Sequence, residues 1–467
     1  MAFTQVTPEH IHHFISLLGQ DSVVTDMSVL QQYGKDETED LLFRPELVLK
    51  PADVPGLQAV VKYCNEQNIP ITPRGAGTGL SGGALPVYGG VLLSMERFNQ
   101  ILHIDERNLQ VTVEPGVITQ ELQEAVKAKG LHYPPDPASR GSCFIGGNIA
   151  ENSGGPRAVK YGVVKDYVLN LEVVLPDGHV IWTGANTLKN ATGYNLTQLL
   201  VGSEGTLGIV TKIVLRLVAY PQYDVLMLVP FKQAAEACEA VSAIFRAGIV
   251  PSAMEFMERD AIVWTMAHVP DAVVPLTGET QAHLLIELDG RHEDVLLREA
   301  EQLAALVQQY DIEEVLFADT AAQKEALWKL RRRVGEAVKS HSVYKEEDTV
   351  VPRAELPVLL KKVKDLGQQY GFTSVCYGHA GDGNLHVNII KGDMSDADWN
   401  DRLPLAIAEL FEAVVALGGT ISGEHGIGWV QKRYMPIAFN EVQMNLMKQI
   451  KLVFDPKGIM NPGKIFP

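Results

Sequence analysis

The sequence predicts an α+β protein of two domains, on three observations. Between residues 45 and about 217 glycine is frequent, and short apolar or β-branched runs (LVLK, IPITPR, GGVLLSM, LQVTVEP, LNLEVVLPDG, GIVTKIVLRLV) alternate with turns and with the helical stretches DVPGLQAVVKYCNEQN and ITQELQEAVKAKG. After Tyr220-Pro221 the texture changes to longer amphipathic helices, such as KQAAEACEAVSAIFRAG and HEDVLLREAEQLAALVQQY, alternating with strands such as AHLLIELDG and TSVCYGH. The tail FDPKGIMNPGKIF is turn-rich and does not continue the helix before it.

With 467 residues, 46% hydrophobic and 21% charged, the chain can bury an ordinary core. The formal net charge of −17 argues against nucleic acid or an anionic membrane surface as a general partner, and leaves room for a small anionic substrate met by a local basic cluster. The N-terminus MAFTQVTPEHIHHF lacks a basic stretch leading into an apolar one, and no apolar run approaches the roughly 20 residues of a membrane helix. The expectation is a soluble cytoplasmic protein with no transmembrane segment, compatible with peripheral membrane attachment. Cys64, Cys143, Cys238 and Cys376 are far apart and form no CxxC, so neither a disulfide framework nor a cysteine-held iron–sulfur cluster is indicated. A homodimer is the base-rate expectation for the assembly.

The loop RGAGTGLSGG, residues 74 to 83, follows the strand-like IPITP. Its glycines allow positive φ and close backbone approach, so consecutive N–H groups can converge on a phosphate. Pro86 and the β-like GGVLLSM stand where a dinucleotide-binding helix would begin, and no Lys-Ser/Thr of an NTPase loop follows. Taken alone the loop reads equally as a pyrophosphate cradle between two strands or as a structural turn. CFIGGNIAENSGGPRAVKYG and KNATGYNLTQLLVGSEGTLGIVT repeat the pattern of small and polar residues beside apolar strands, and three such segments suit a large, extended ligand.

TSVCYGHAGDGNLHVNII reads as two strands joined by the four residues Gly381 to Asn384. If Ala380 pairs with Leu385, His379 faces His386 directly across the ladder with Cβ atoms about 5 Å apart. Such a pair is either a shared metal site or a neutral hydrogen-bonded pair. In SGEHGIG, Glu424 is the natural third ligand, because the flanking glycines let the backbone approach. Its neighbour His425 is either a general base or a surface-loop histidine.

Together, PRGAGTGLSGG, GGNIAENSGGPRAVKYG, LLVGSEGTLGIVT, GHAGDGNLHVN, SGEHGIG and FDPKGIMNPGKIF resemble, in order from about residue 40 onward, the FAD-dependent D-2-hydroxy-acid dehydrogenases of the vanillyl-alcohol oxidase (PCMH-type) flavoprotein fold. The resemblance implies a PCMH-type FAD-binding domain of two α/β subdomains over residues 1–218, with 452–467 returning to it. It also implies an α+β substrate-binding cap domain with an antiparallel sheet over 219–451. FAD is implied to be non-covalent, because Thr78 stands where some relatives have a flavin-linking histidine. The implied cofactor contacts are Arg74, Gly75, Ala76, Gly77, Thr78, Gly79 and Gly82 in the pyrophosphate loop, and Pro135, Gly141, Ser142, Gly146, Gly147, Asn148, Asn152 and Gly155 in the next segment. Gly205, Ile209 and Asn461 complete that set.

By the same resemblance, His379, His386 and Glu424 hold a divalent metal, zinc or manganese, and His425 is the base. Arg331 in LWKLRRRVGEAV grips the substrate carboxylate, with Lys345 and Asn388 as further substrate contacts. The implied reaction is oxidation of a small anionic 2-hydroxy acid, such as D-lactate or glycolate, to the 2-oxo acid. The implied electron acceptor is a quinone, an electron-transfer flavoprotein, a partner subunit or oxygen. Gly335 departs from the threonine that D-2-hydroxyglutarate dehydrogenases tend to carry there, which points away from a substrate with a distal carboxylate. The rival readings are an alkylglycerone-phosphate synthase-like non-redox FAD enzyme, whose matching segment resembles a histidine run, a metal-dependent hydrolase, and a non-catalytic flavin-binding scaffold.

Overall fold

The computed structural model describes residues 3–270 and 274–467. The chain forms two compact units: Met1–Gly154, Val163–Tyr220 and Glu424–Pro467 make the first, and Gly155–Gly162 with Pro221–Gly423 the second. The change of texture at Tyr220-Pro221 is thus a crossing between units. The return to the first unit comes at Glu424, inside SGEHGIG and well before residue 452, and the short segment from Gly155 belongs to the second unit.

In the first unit, β1 (Val23–Val24), β2 (Leu47–Leu49), β3 (Ile71–Arg74) and β4 (Val91–Ser94) form a sheet in the order β1-β2-β4-β3. Both β2 and β3 run parallel to β4, and β2 and β4 are wholly buried, which is why they read as unbroken apolar runs. The helix Val54–Gln67 buries Leu57, Val60, Val61 and Cys64; Asp53 caps its N-terminus by accepting the Gly56 N–H at 2.8 Å, and Asn68 ends it in the left-handed region. No helix bridges the parallel pair β3 and β4, and the RGAGTGLSGG loop takes its place.

The same unit continues with β5 (Ile101–Asp105), β6 (Gln110–Val113), β7 (Leu131–His132), β8 (Val168–Val174), β9 (Val180–Trp182), β10 (Ile209–Arg216) and β11 (Val218–Ala219). Five of these make an antiparallel sheet ordered β5-β6-β10-β8-β9, while β7 pairs with β11. The stretch IGGNIAE, glycine-rich in sequence, is helical from Ile145 to Glu151. Tertiary contact overrides propensity here, because a Cβ on Gly146 would lie 2.5 Å from Pro115.

The second unit is built on β12 (Tyr223–Phe231), β13 (Ala253–Glu258), β14 (Ala282–Gly290), β15 (Leu316–Phe317), β16 (Tyr344–Val350), β17 (Thr373–Gly378) and β18 (Asn384–Ile390). They form one antiparallel sheet in the order β15-β12-β14-β13-β17-β18-β16. The helices Ala234–Arg246, Leu356–Tyr370 and Leu403–Ala416 pack together as a layer on this sheet. Elsewhere Met257, Val375 and Tyr377 pack with Trp328, Leu330, Val334 and Val338 in a second cluster. AMEFME and YKEEDTV are strands whose acidic residues mask the apolar pattern. Among the described residues no helix is long and apolar enough to cross a membrane.

His283, on β14 between Pro230 and Met257, is fully buried, and burial pushes its pKa down to about 4. The unfolded chain therefore binds one more proton than the folded one between pH 4 and the ordinary histidine value, so stability rises with pH across that window by about 3 kcal/mol. Denaturant unfolding of H283L at pH 4.5 and 6.5 should show a shallower pH dependence than wild type, by about 2 kcal/mol between these two pH values.

Candidate active site

The first unit carries the predicted flavin residues from Arg74 to Asn152, together with Gly205, Ile209 and Asn461. Arg74 ends β3 with its guanidinium buried, donating to the Tyr33 carbonyl at 3.3 Å and lying over the Tyr33 ring at 5.7 Å. The loop then folds back over it: Gly77 has φ +77°, and a Cβ there would fall 2.0 Å from the Arg74 guanidinium. Among the described residues, the N–H groups of Ala76, Gly77, Thr78, Gly79 and Leu80 have no acceptor. A run of free backbone donors beside a buried cation is an anion cradle. Gly75 approaches the helix at Gly147, whose nitrogen would lie 3.6 Å from an added Cβ, and Gly79 and Gly147 border open space. These features fit the pyrophosphate of FAD.

Asn461 and the turn at Gly205 frame that loop. Asn461 donates to the Gly83 and Glu204 carbonyls at 3.0 and 2.7 Å, tying the loop to the turn at Gly205, where φ is +66° and the backbone abuts Pro73. Ile209 opens β10 opposite Val174. The side chain of Asn148 donates to Thr119 Oγ1 at 2.7 Å, Asn152 accepts the Lys165 N–H at 2.9 Å, and the Pro135 carbonyl accepts from Gln123 at 2.9 Å. Gly141 and Ser142 lie in a turn closed by the Ser142 N–H on the Ser139 carbonyl at 2.8 Å. Gly155 opens the segment that belongs to the second unit.

On the second unit the register of four strands decides which side chains meet. His386 lies opposite Tyr377 and Asp348, and Asn388 lies opposite Val375 and Glu346. The expected pairing of Ala380 with Leu385 is replaced by a register two residues away, because Ala380–Asp382 form a 3₁₀ turn closed by Gly383 at φ +80°. A slip of two keeps each side chain on its face. His379 and His386 remain neighbours, with ring centroids 5.4 Å apart, edge to face, and with ring nitrogens within 4.8 Å.

Glu255 continues the β13–β17 register to stand opposite His379, and its fully buried carboxylate accepts from His379 Nδ1 at 2.8 Å. Burial pushes the Glu255 carboxyl up, but Arg331, with Nη2 2.6 Å from Oε2, and His379 outweigh it and hold it below the ordinary value. His386 Nδ1 lies 3.6 Å from both Glu346 Oε1 and Asp348 Oδ1. Two imidazoles among carboxylates are a donor set that suits zinc or manganese.

Arg331 is buried, its guanidinium 5.2 Å from the Tyr377 ring, and its Nε has no acceptor. Asn388 is fully buried, with neither amide atom in hydrogen-bonding geometry to a partner. Such groups are costly unless a ligand satisfies them. Lys345 is not brought to this face: one residue before Glu346, it alternates to the other side, where it lies over the Trp399 ring at 4.9 Å. Gly335 is within the same cluster, and a Cβ there would be 3.2 Å from the Tyr377 hydroxyl.

SGEHGIG is held at both ends by carboxylates. In the second unit Asp348 Oδ2 accepts the Gly423 N–H at 2.8 Å and the Ser422 hydroxyl at 3.1 Å. In the first unit Glu204 accepts the N–H groups of Ile427 and Gly428 at 2.7 and 2.6 Å. Glu424 and His425 are the half-buried residues between these clamps. The Ser81 carbonyl accepts from Trp429 and Val430 at 2.9 and 3.1 Å, joining this segment to the glycine loop. Burial raises the carboxyls of Glu151 and Glu204, the neighbouring Glu204 charge raising Glu151 further, while burial pushes Lys464 down to about 7. Sequence reasoning missed Glu204, Glu255, Glu346 and Asp348. Only Glu204, an acid between glycines like Glu424, left a signal.

The fold and these linked turns define a flavoprotein architecture, and comparison bears this out. p-Cresol methylhydroxylase superposes with a TM-score of 0.80 at 21% identity over 97% of this chain and 96% of its own, which establishes the PCMH-type fold. Residues 45–184 match the model for the FAD binding domain, and 220–465 that for the C-terminal domain of FAD linked oxidases. The chain is 41% identical to glycolate oxidase subunit GlcD of Bacillus subtilis over 93% of this chain and 92% of that one. It is 37% identical to D-lactate dehydrogenase of Anaerostipes hadrus over 99% and 98%. The chain belongs to the FAD-linked oxidase family and is an FAD-dependent oxidoreductase.

Gly428 has φ +50°, and a Cβ there would lie 2.2 Å from the Ser81 carbonyl oxygen. G428A should lower stability by about 2 kcal/mol or more, through backbone strain and the clash. Thermal melting of the flavin-loaded protein, followed by flavin release, checks this.

Proposed function

We propose that the protein oxidises a small 2-hydroxy acid, D-lactate, glycolate or a close analogue, to the 2-oxo acid. The observation that carries this reading is the buried Arg331 guanidinium beside the paired imidazoles of His379 and His386. A buried cation with a spare N–H donor selects a carboxylate, and a metal-competent pair next to it suits an adjacent hydroxyl. Glycolate and D-lactate, for which the two relatives are named, are of this class.

FAD supplies the hydride acceptor. A divalent cation, zinc or manganese, would be held by His379, His386 and Glu424 and would supply Lewis acidity there. Glu424 is one peptide bond beyond Gly423, which Asp348 holds. Arg331 grips the carboxylate, and Asn388 offers its amide to the substrate. His425 accepts the hydroxyl proton as the C2 hydride departs. Gly335 offers no hydrogen-bonding side chain beside Tyr377, which favours acids without a second carboxylate.

In a dye-linked assay, D-lactate or glycolate should be turned over in preference to D-2-hydroxyglutarate. Dialysis against a chelator should abolish turnover, and added zinc or manganese should restore it. H425A should keep its flavin spectrum and lose about 100- to 10,000-fold in kcat. Colourless purified protein sinks the dehydrogenase reading, and chelator-insensitive turnover sinks the metal.

A further inference from the structure

Glu255 has no place in the chemistry described above, yet it touches two of its elements. Its carboxylate oxygens lie 2.8 and 2.9 Å from His379 Nδ1, and Oε2 lies 2.6 Å from Arg331 Nη2. The side chain is fully buried at the end of the β13–β17 ladder, and His386 stands edge-on to His379 at 5.4 Å. A carboxylate only accepts hydrogen bonds, so the proton of a neutral His379 must reside on Nδ1, and the lone pair is left on Nε2.

We propose that Glu255 is the positioning residue of the metal centre. It locks His379 in the tautomer that presents Nε2 as a ligand, and its second oxygen fixes the Arg331 guanidinium. One buried carboxylate thereby places a metal ligand and the substrate-gripping cation in a common frame. The inference rests on the metal reading given above.

The chemistry of glutamine at this position makes the claim specific. If the amide of E255Q turns its oxygen to His379, its NH₂ faces the donors of Arg331. If it turns its oxygen to Arg331, its NH₂ faces Nδ1, and the His379 proton must move to Nε2, where it blocks the ligand lone pair. The buried guanidinium, 2.6 Å away and cationic, is the stronger donor, so the oxygen turns to Arg331 and the second arrangement prevails. Replacing Arg331 by methionine relieves the conflict, because the glutamine oxygen is then free to accept from His379.

The test is zinc affinity of the flavin-loaded protein, measured by metal analysis after equilibration against graded chelator, with flavin content and melting temperature as controls for folding. E255Q should bind zinc about 10- to 100-fold more weakly than wild type. If E255Q does not fold, the charge-neutral variants E255Q/R331M and E255M/R331M carry the comparison. They differ only in whether His379 has an acceptor, and E255Q/R331M should bind zinc about 10-fold or more tightly than E255M/R331M. Equal zinc affinity in wild type and E255Q, or in the two double variants, overturns the role of Glu255 and leaves the metal reading standing. Wild-type protein that binds neither zinc nor manganese overturns the metal reading and this inference with it.

Discussion

The second unit depends on the pleat of its antiparallel sheet. Side chains two residues apart share a face, so the register of β13, β17, β18 and β16 collects Glu255, Tyr377, His379, His386, Asn388, Glu346 and Asp348 on one surface. A slip of one residue in β18 would send His386 and Asn388 into the opposite layer and bring Leu385 and Val387 forward. The register is specified by burial on both sides: Leu385, Val387 and Ile389 are as buried as the polar residues that alternate with them. A polar constellation is tolerated at this depth because its carboxylates, imidazoles and guanidinium are set against one another.

The first unit solves a different problem, that of holding glycine-rich backbone still. Glycine loops lose much entropy on folding, so each needs fixed contacts. Asn461 spans Gly83 and Glu204, the Ser81 carbonyl receives two N–H groups from the segment after Gly428, and Thr38 holds the Gly82 N–H at 2.7 Å. The buried Arg74, Glu204 and Lys464 and the half-buried Asp36 and Glu151 around them make this a charged interior, where loss of one partner leaves the others uncompensated.

Much of this was legible beforehand. The strands of the parallel sheet were readable because burial on both faces leaves unbroken apolar runs, and the long helices because their apolar spacing is regular. His379, His386, Glu424 and His425 stood out because polar residues in glycine-rich hairpins and turns have few structural uses. β13 and β16 were missed because AMEFME and YKEEDTV present acids that local pattern treats as solvent-facing. The helix from Ile145 was missed because glycine opposes helix locally, and only packing against Pro115 explains it.

By itself, then, the sequence determined the two α+β domains, the glycine loop and the set of histidines and acids available for chemistry, since these follow from composition and periodicity. The tertiary structure decided which of them meet. Lys345 and Glu346 are adjacent in the chain and lie on opposite faces, whereas Glu255 and His379, 124 residues apart, share a hydrogen bond. Pairing between distant strands is set by the packing of the whole sheet, and no local pattern encodes it.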